Sequence, residues 1–429
     1  MPLKPTNHSE YQRDIYGAFA PPIQSTCPEK LQEQAKKVLT PEAWDYIDGS
    51  AALGVTQKAN REAFDKYPLI PRMLRDVTQR STRVTLFGKE YDSPILAAPI
   101  GVQEIAHRDA EIATAKACEA QNVPMILSSA ATRTIEQIGK ANGNGERWYQ
   151  LYWPKSDHIT ISLLNRAKAA GFTTLVVTLD TFVLGWRPRD LDRSYLPFLY
   201  QGQGIQIGLS DPAFNKDFEA LPPPSAKDLK DLLSRAGKSP LLMAKLIAKS
   251  KSLRKSRAWL AEMNSGTFKS WDQLSLLRKH WDGPIVLKGI QSIHDARLAI
   301  EHGMDGIIVS NHGGRQLSGA ISSLDCLANI CSDPSITSKL TILFDSGIRT
   351  ASDIVKAMAL GANAVLLGRP YVYGLAVNGQ NGVEEVFKCL KAELEITMGQ
   401  LGISELSREQ LNGVLASTDR YLGVEKSKL

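Results

Sequence analysis

Eight short apolar runs, separated by helical stretches and each ending in polar residues, constrain this chain more than any other feature. They are Ser93–Ile100, Pro124–Ser129, Trp148–Tyr152, Thr174–Asp180, Pro284–Gly289, Gly306–Ser310, Thr341–Asp345 and Ala364–Arg369. All are β-rich and unbroken by alternation, the pattern of parallel strands covered on both faces. Helical patterns fill gaps near 109–121, 157–170 and 352–360. Eight alternations of strand and helix predict an α/β fold, the TIM (β/α)8 barrel. Ahead of the first run, 28–49 reads as two short helices. Thr40 is placed to cap the second, Pro41 to open it and Gly49 to end it. Tyr46 falls in its last turn, where core packing is the plainest reading.

One gap breaks the rhythm. The fourth run ends at Asp180 and the fifth starts only at Pro284. Within a single domain spanning 1–429, residues 191–270 therefore read as a long insertion on the rim, and segments of this length are usually lids or disordered. Residues 227–257 of it carry ten Lys/Arg against two Asp/Glu, more than the whole formal net charge of +6. Basic character confined to one segment argues against a nucleic-acid-binding fold. Leu232, Leu233, Leu241, Leu242, Leu246 and Ile247 have helical spacing there. A solvated helical face explains this, with contact to a membrane or another subunit as the alternative. No apolar run approaches the roughly 18 residues of a membrane span, and the N-terminus has no signal-peptide core. The five scattered cysteines read as buried thiols of a reducing compartment, and the histidines show no metal-ligand spacing. Ser427-Lys428-Leu429 is a peroxisomal import address, so a peroxisomal location and an import-receptor contact are expected.

The chemistry gathers at the C-terminal ends of the runs, where Ser128, Gln150, Tyr152, Thr178, Asp180, Lys288, His312, Asp345 and Arg369 fall. In TIM barrels that rim carries the active site. After the sixth run come Ser310, Asn311, His312, two glycines, Arg315 and Gln316. A histidine takes a proton near neutral pH, and an arginine grips a carboxylate with a forked pair of hydrogen bonds. Alone, the same motif would also suit a tight turn with a surface histidine. After the seventh and eighth runs, Gly347 and Gly368 offer backbone N–H groups, and Arg349 and Arg369 offer charge, for a phosphate. No Gly-x-Gly-x-x-Gly follows a strand, which disfavours a Rossmann-bound dinucleotide. Lys288 suits either a Schiff base, as in an aldolase, or stabilisation of negative charge on a cofactor ring. Tyr46, Tyr152, Arg187 and Arg315 around His312 fit a small hydroxy-carboxylate better than a sugar phosphate. A non-catalytic membrane or scaffold module built on the basic stretch is the reading of a different class.

Four motifs carry a resemblance: Ser-Asn-His-Gly-Gly-Arg-Gln-Leu at 310–317, Asp-Ser-Gly-Ile-Arg at 345–349, Leu-Gly-Arg-Pro at 367–370 and Gln-Leu-Tyr at 150–152. Through them the chain, from about residue 28 to 418, resembles the FMN-dependent 2-hydroxy acid oxidase and dehydrogenase family. That family includes glycolate oxidase, lactate oxidase and lactate monooxygenase. Residues 98–102 and 186–192 look most similar to lactate monooxygenase. The resemblance implies FMN contacts at Pro99, Ile100, Gly101, Ser128, Gln150, Thr178 and Ser310, with Lys288 facing the flavin ring. It implies that Asp345, Gly347, Arg349, Gly368 and Arg369 hold the ribityl and phosphate groups. Tyr46, Arg187 and Arg315 would bind the substrate carboxylate, and Tyr152 would lie by the reacting hydroxyl. His312 would be the base and Asp180 its partner, expected to raise its proton affinity. Ala130 stands where the plant glycolate oxidases carry Trp, implying a wider mouth. Trp186, Ser318 and Ile321 also depart from the family pattern. The expected reaction is oxidation of an L-2-hydroxy acid to the 2-oxo acid, with oxygen as acceptor and hydrogen peroxide as product. Monooxygenation with decarboxylation and acceptor-linked dehydrogenation are the alternatives. Related members imply a homo-oligomer, a tetramer.

Overall fold

The computed structural model describes residues 4–222 and 250–416. Eight parallel strands close into a barrel. They are β1 (Ile95–Ala97), β2 (Met125–Ser128), β3 (Arg147–Tyr152), β4 (Thr174–Thr178), β5 (Ile285–Ile290), β6 (Gly306–Val309), β7 (Thr341–Phe344) and β8 (Ala364–Leu367). β8 pairs with β1 and closes the ring. Each expected run coincides with one strand to within three residues at either end. Every residue of β2, β4, β6 and β8 is buried, so side chains pointing into the barrel and out to the helices are equally apolar. That is why the runs show no alternation.

Register aligns the polar ends. Ser128 lies beside Gln150, Tyr152 beside Thr178, and Thr178 beside Lys288. Between Lys288 and Ile290 the β5–β6 register shifts by a bulge, and Gly289 takes φ +104° there. A Cβ at that position would sit 3.0 Å from Cβ of Asp180, so the bulge opens room for that carboxylate.

The helices expected near 28–49 are Pro28–Val38 and Pro41–Asp48. Thr40 caps the second by accepting the Ala43 N–H at 3.2 Å. Helices Ala110–Ala120, Asp157–Ala169 and Ala351–Leu360 occupy the other predicted positions. Elements that went unpredicted include helix Val55–Glu62, the hairpin Val84–Leu86 with Lys89–Tyr91, and the 33-residue helix Arg369–Leu401, kinked at Asn378 and Gly379.

Between β4 and β5 the described residues form short helices, among them Pro188–Asp192, Gln206–Leu209, Pro212–Ala220 and Ser250–Met263. Most of the basic stretch, including Leu232 to Ile247, lies outside the described residues, as does Ser427-Lys428-Leu429. All five cysteines are free thiols. Cys118 and Cys326 are buried as expected, whereas Cys27, Cys331 and Cys389 are half-buried. Among the described residues no helix is long and apolar enough to cross a membrane.

Candidate active site

A cavity opens at the C-terminal ends of the strands. Its lining includes Tyr46, Tyr152, Arg187, Lys288, His312 and Arg315, together with Pro99, Ile100 and Gly101 after β1. Asp345, Gly347, Arg349, Gly368 and Arg369 line the same space. Ser128, Gln150, Thr178, Ser310 and Asp180 do not. The first four are buried in the layer beneath, where Gln150 donates to Thr178 Oγ1 at 2.8 Å.

The turn after β6 delivers the histidine. His312 has φ +57° and is followed by Gly313 at +65° and Gly314 at +76°. Three left-handed residues in a row fold the chain back on itself, and histidine tolerates that region better than a β-branched residue would. At Gly314 a Cβ would lie 2.6 Å from the Gln57 backbone N, so helix Val55–Glu62 requires glycine there. Asn311 and Asn60 clasp each other through reciprocal amide bonds of 2.7 and 2.8 Å, tying the same helix to the turn.

His312 Nδ1 lies 2.8 Å from Asp180 Oδ1, across 132 residues of sequence. With a carboxylate as acceptor, Nδ1 carries the proton and Nε2 keeps its lone pair. Thr181 Oγ1 donates to Asp180 Oδ1 at 2.8 Å and lies 3.2 Å from His312 Nδ1. Burial alone would raise the Asp180 carboxyl, but His312 and then Lys288 outweigh it and hold the group well below the usual carboxylate range. Asp180 acts on the proton affinity of His312 in the expected direction, but it does not set the balance. Asp180 does pull upward, yet burial, with help from Lys288 and Arg187, leaves the imidazole below its ordinary 6.5. The resting pair is therefore an anionic Asp180 beside a neutral His312, the state a base requires.

Lys288 Nζ donates to Ser310 Oγ at 3.0 Å and lies 3.3 Å from Asp345 Oδ2. Burial disfavours its ammonium, but Asp345 and Asp180 overcome this and raise it above the ordinary lysine value. A lysine held charged is a poor Schiff-base nucleophile and a good stabiliser of negative charge.

Arg187 and Arg315 converge on one side. Arg187 Nε donates to the Arg315 carbonyl at 3.0 Å, and the Arg315 guanidinium lies over the Tyr46 ring at 5.3 Å. Arg315 Nη1 donates to the carbonyls of Ile47 and Gly49. Helix Pro41–Asp48, which carries Tyr46, is anchored by Asp45 and Asp48 to Arg189, two residues beyond Arg187. Gln316 is a residue that sequence reasoning gave no role. Its amide N donates to the carbonyls of Asp180 (2.7 Å) and Val183 (2.9 Å). Its amide O accepts from the Gly185 N–H (3.1 Å) and Arg187 Nη2 (2.9 Å). One side chain thus joins the histidine turn to the loop bearing Asp180 and Arg187. In the sequence it stands only as a member of the 310–317 motif, next to Arg315.

At the other end, Gly368 is the N-terminal boundary of helix Arg369–Leu401, whose positive dipole end abuts the cavity. Arg349 is pushed below the ordinary arginine value by burial, then by Arg369 and Arg61, despite an opposing effect of Tyr373. Burial, Arg187 and Arg369 push Arg315 down to about 9. The hydrogen bonds of these arginines run to carbonyls such as Ile348, Ile47 and Gly313, so their charge is left for an anionic occupant. Trp186, by contrast, is 72% exposed and does not line the cavity, so its departure from the family pattern leaves the lining unchanged.

An anion seat at one end of the cavity, and a base with paired arginines at the other, define a barrel enzyme that brings a phosphorylated cofactor to a small carboxylate. The chain belongs to the FMN-dependent dehydrogenase family, which it matches over residues 35–413. It is 44% identical over 405 residues to an FMN-dependent alpha-hydroxy acid dehydrogenase of Penicillium citrinum, covering 94% of each chain. It is 36% identical over 380 residues to an L-lactate oxidase of Lysinibacillus sphaericus, covering 89% of this chain and 90% of that one. Among solved structures, mandelate oxidase superposes with a TM-score of 0.72 at 30% identity, covering 92% of this chain and 98% of that one. FMN is the cofactor of the family. The residues present fit it, because the uncompensated arginines and the helix N-terminus suit a phosphate and the raised Lys288 suits an electron-rich ring.

Proposed function

We propose that the protein oxidises an L-2-hydroxy acid to the 2-oxo acid and passes the electrons to oxygen, releasing hydrogen peroxide. The observation that carries the reading is that His312, its Nδ1 2.8 Å from Asp180 Oδ1, lines one cavity with Arg187 and Arg315. FMN, when bound, supplies the two-electron acceptor. Arg187 and Arg315 bind the carboxylate with forked hydrogen bonds, and Tyr46 adds a hydroxyl beside them. Tyr152, whose ring stacks near His312 at 6.5 Å, orients the reacting hydroxyl. Burial, and then Asp180, raise its phenol, so it stays a neutral donor. His312 Nε2 takes the proton that the substrate gives up, and Asp180 stabilises the imidazolium that forms. Arg349, Arg369, Gly347 and Gly368 hold the phosphate, with Pro99, Ile100, Gly101 and Lys288 along the ring. Ser128, Gln150, Thr178 and Ser310 support that surface from below.

Oxygen as acceptor is supported by relatives named as oxidases, including the L-lactate oxidase above and 2-hydroxyacid oxidase 2 of Mus musculus, 38% identical over 384 residues. Ser427-Lys428-Leu429 supports a peroxisomal location, where released peroxide is destroyed. The test is aerobic incubation with L-lactate and longer 2-hydroxy acids. Pyruvate with hydrogen peroxide is the expected outcome. Acetate and carbon dioxide without free peroxide would make it a monooxygenase, and dye reduction without oxygen uptake a dehydrogenase. Borohydride trapping of a carbonyl compound on Lys288, with no flavin absorbance, would overturn the whole reading. Localisation is tested by an N-terminal fluorescent fusion with and without residues 427–429.

A further inference from the structure

The segment between β4 and β5 supplies a second face of the cavity. Phe198, Ile205, Trp259 and Met263 line it, and each is less than a tenth exposed. The Phe198 ring meets the Tyr46 ring edge-on with centroids 6.4 Å apart, so this face begins beside the carboxylate end of the site. Its outer side is fully packed. Phe214 lies edge-on to Trp259 at 5.1 Å, and at Gly208 a Cβ would come within 2.1 Å of the indole, so the backbone itself backs the ring. Ala130, after β2, contributes only a methyl group. Among the described residues from 191 to 270, no charged side chain lines the cavity, and Asn264 is the one polar side chain that does.

We propose that this face receives the substrate side chain, and that the preferred substrate is a 2-hydroxy acid bearing a bulky, uncharged, apolar group. An aryl ring or an alkyl chain of about four carbons or more would fill it. The proposal rests on the function argued above and narrows its substrate. With glycolate or lactate, the apolar face would stay wetted and its burial would contribute nothing to the transition state. With a hydroxy dicarboxylic acid, a second carboxylate would lose its hydration with no counter-ion beside it.

The experiment measures kcat/KM of the FMN-loaded full chain for glycolate, L-lactate, L-malate, straight-chain L-2-hydroxy acids up to octanoate, L-mandelate and L-3-phenyllactate. Burial of one methylene corresponds to about fourfold, so a chain four carbons longer than lactate is expected to gain roughly 10²-fold. Met263→Trp, which fills the space, should reduce the ratio of hydroxyoctanoate to lactate at least about tenfold by the same reasoning. If that variant fails to bind FMN, the Kd values of the matching 2-oxo acids for the parent holoenzyme, read from flavin absorbance, should follow the same order. Preference for glycolate, lactate or malate would overturn this proposal and leave the proposed function standing. Failure of every 2-hydroxy acid to reduce the flavin would overturn both.

Discussion

His312 stands between groups that pull its proton in opposite senses. Burial and Lys288 favour the neutral ring, while Asp180 favours the imidazolium, and the balance falls below 6.5. The neutral form is the one that accepts a proton, so it persists as pH falls past 6.5 and is lost only at the lower value. The acid limb of kcat/KM is therefore expected with its midpoint below 6.5. Asp180→Asn removes the upward pull, so the limb should move further to acid while kcat falls because the imidazolium loses its partner. A limb that stays put would belong to another group. His312→Gln should retain FMN and lower turnover by about 10² to 10⁴. Gln316 touches no reacting atom, yet it fixes Arg187 and the Asp180 carbonyl. Gln316→Leu should raise KM more than it lowers kcat, and an unchanged KM would mean that Arg187 holds its place without it. His312 and Arg315 were legible in the sequence because glycines and a strand end flank them. Gln316 was not, because its bonds run to the Arg187 guanidinium and to backbone groups, all 129–136 residues away.

At the scale of elements, what sequence reveals depends on how a segment is buried. The barrel strands are covered on both faces, so an unbroken apolar run is the only pattern they could show. Helix Arg369–Leu401 was invisible for the opposite reason. Its apolar positions are interrupted by Gly374, Gly379 and Gly382, and its direction changes at Asn378, so no single helical face can be traced through it. The bulge in β5 was likewise hidden, since Gly289 in the run Pro284–Gly289 reads simply as a strand end. Its consequence is specific. Gly289→Ala would place a methyl against Asp180 at a backbone angle that alanine rarely adopts. The expected result is a protein that still binds FMN but has lost much of its turnover, with an acid limb displaced from that of the parent. Full activity in the alanine variant would show that the Asp180–His312 pair does not depend on the bulge.

The whole molecule gathers Lys288 and the four arginines 187, 315, 349 and 369 around one cavity, and the arginines bond to carbonyls and an amide rather than to carboxylates. Without a bound anion, burial first and this crowding second work against the fold, and together they push Arg315 down to about 9. Its folded value lies below the ordinary 12.5, so the destabilisation is fully present below pH 9 and is relieved as pH rises above it. An anion that enters the cavity offsets the same repulsion, and a ligand that binds only the folded state stabilises it by about 2.7 kcal/mol at a hundredfold excess over Kd. Thermal unfolding of the flavin-free protein near neutral pH should therefore show a graded response. FMN should raise Tm most, inorganic phosphate by part of that amount, and chloride at matched ionic strength hardly at all. Riboflavin, which lacks the phosphate, should fall short of FMN, and the gap between the two should shrink in Arg349→Met. Equal stabilisation by riboflavin and FMN in the parent chain would mean that the arginines and the helix N-terminus contribute nothing to cofactor binding, and the phosphate seat would have to be sought elsewhere on the barrel.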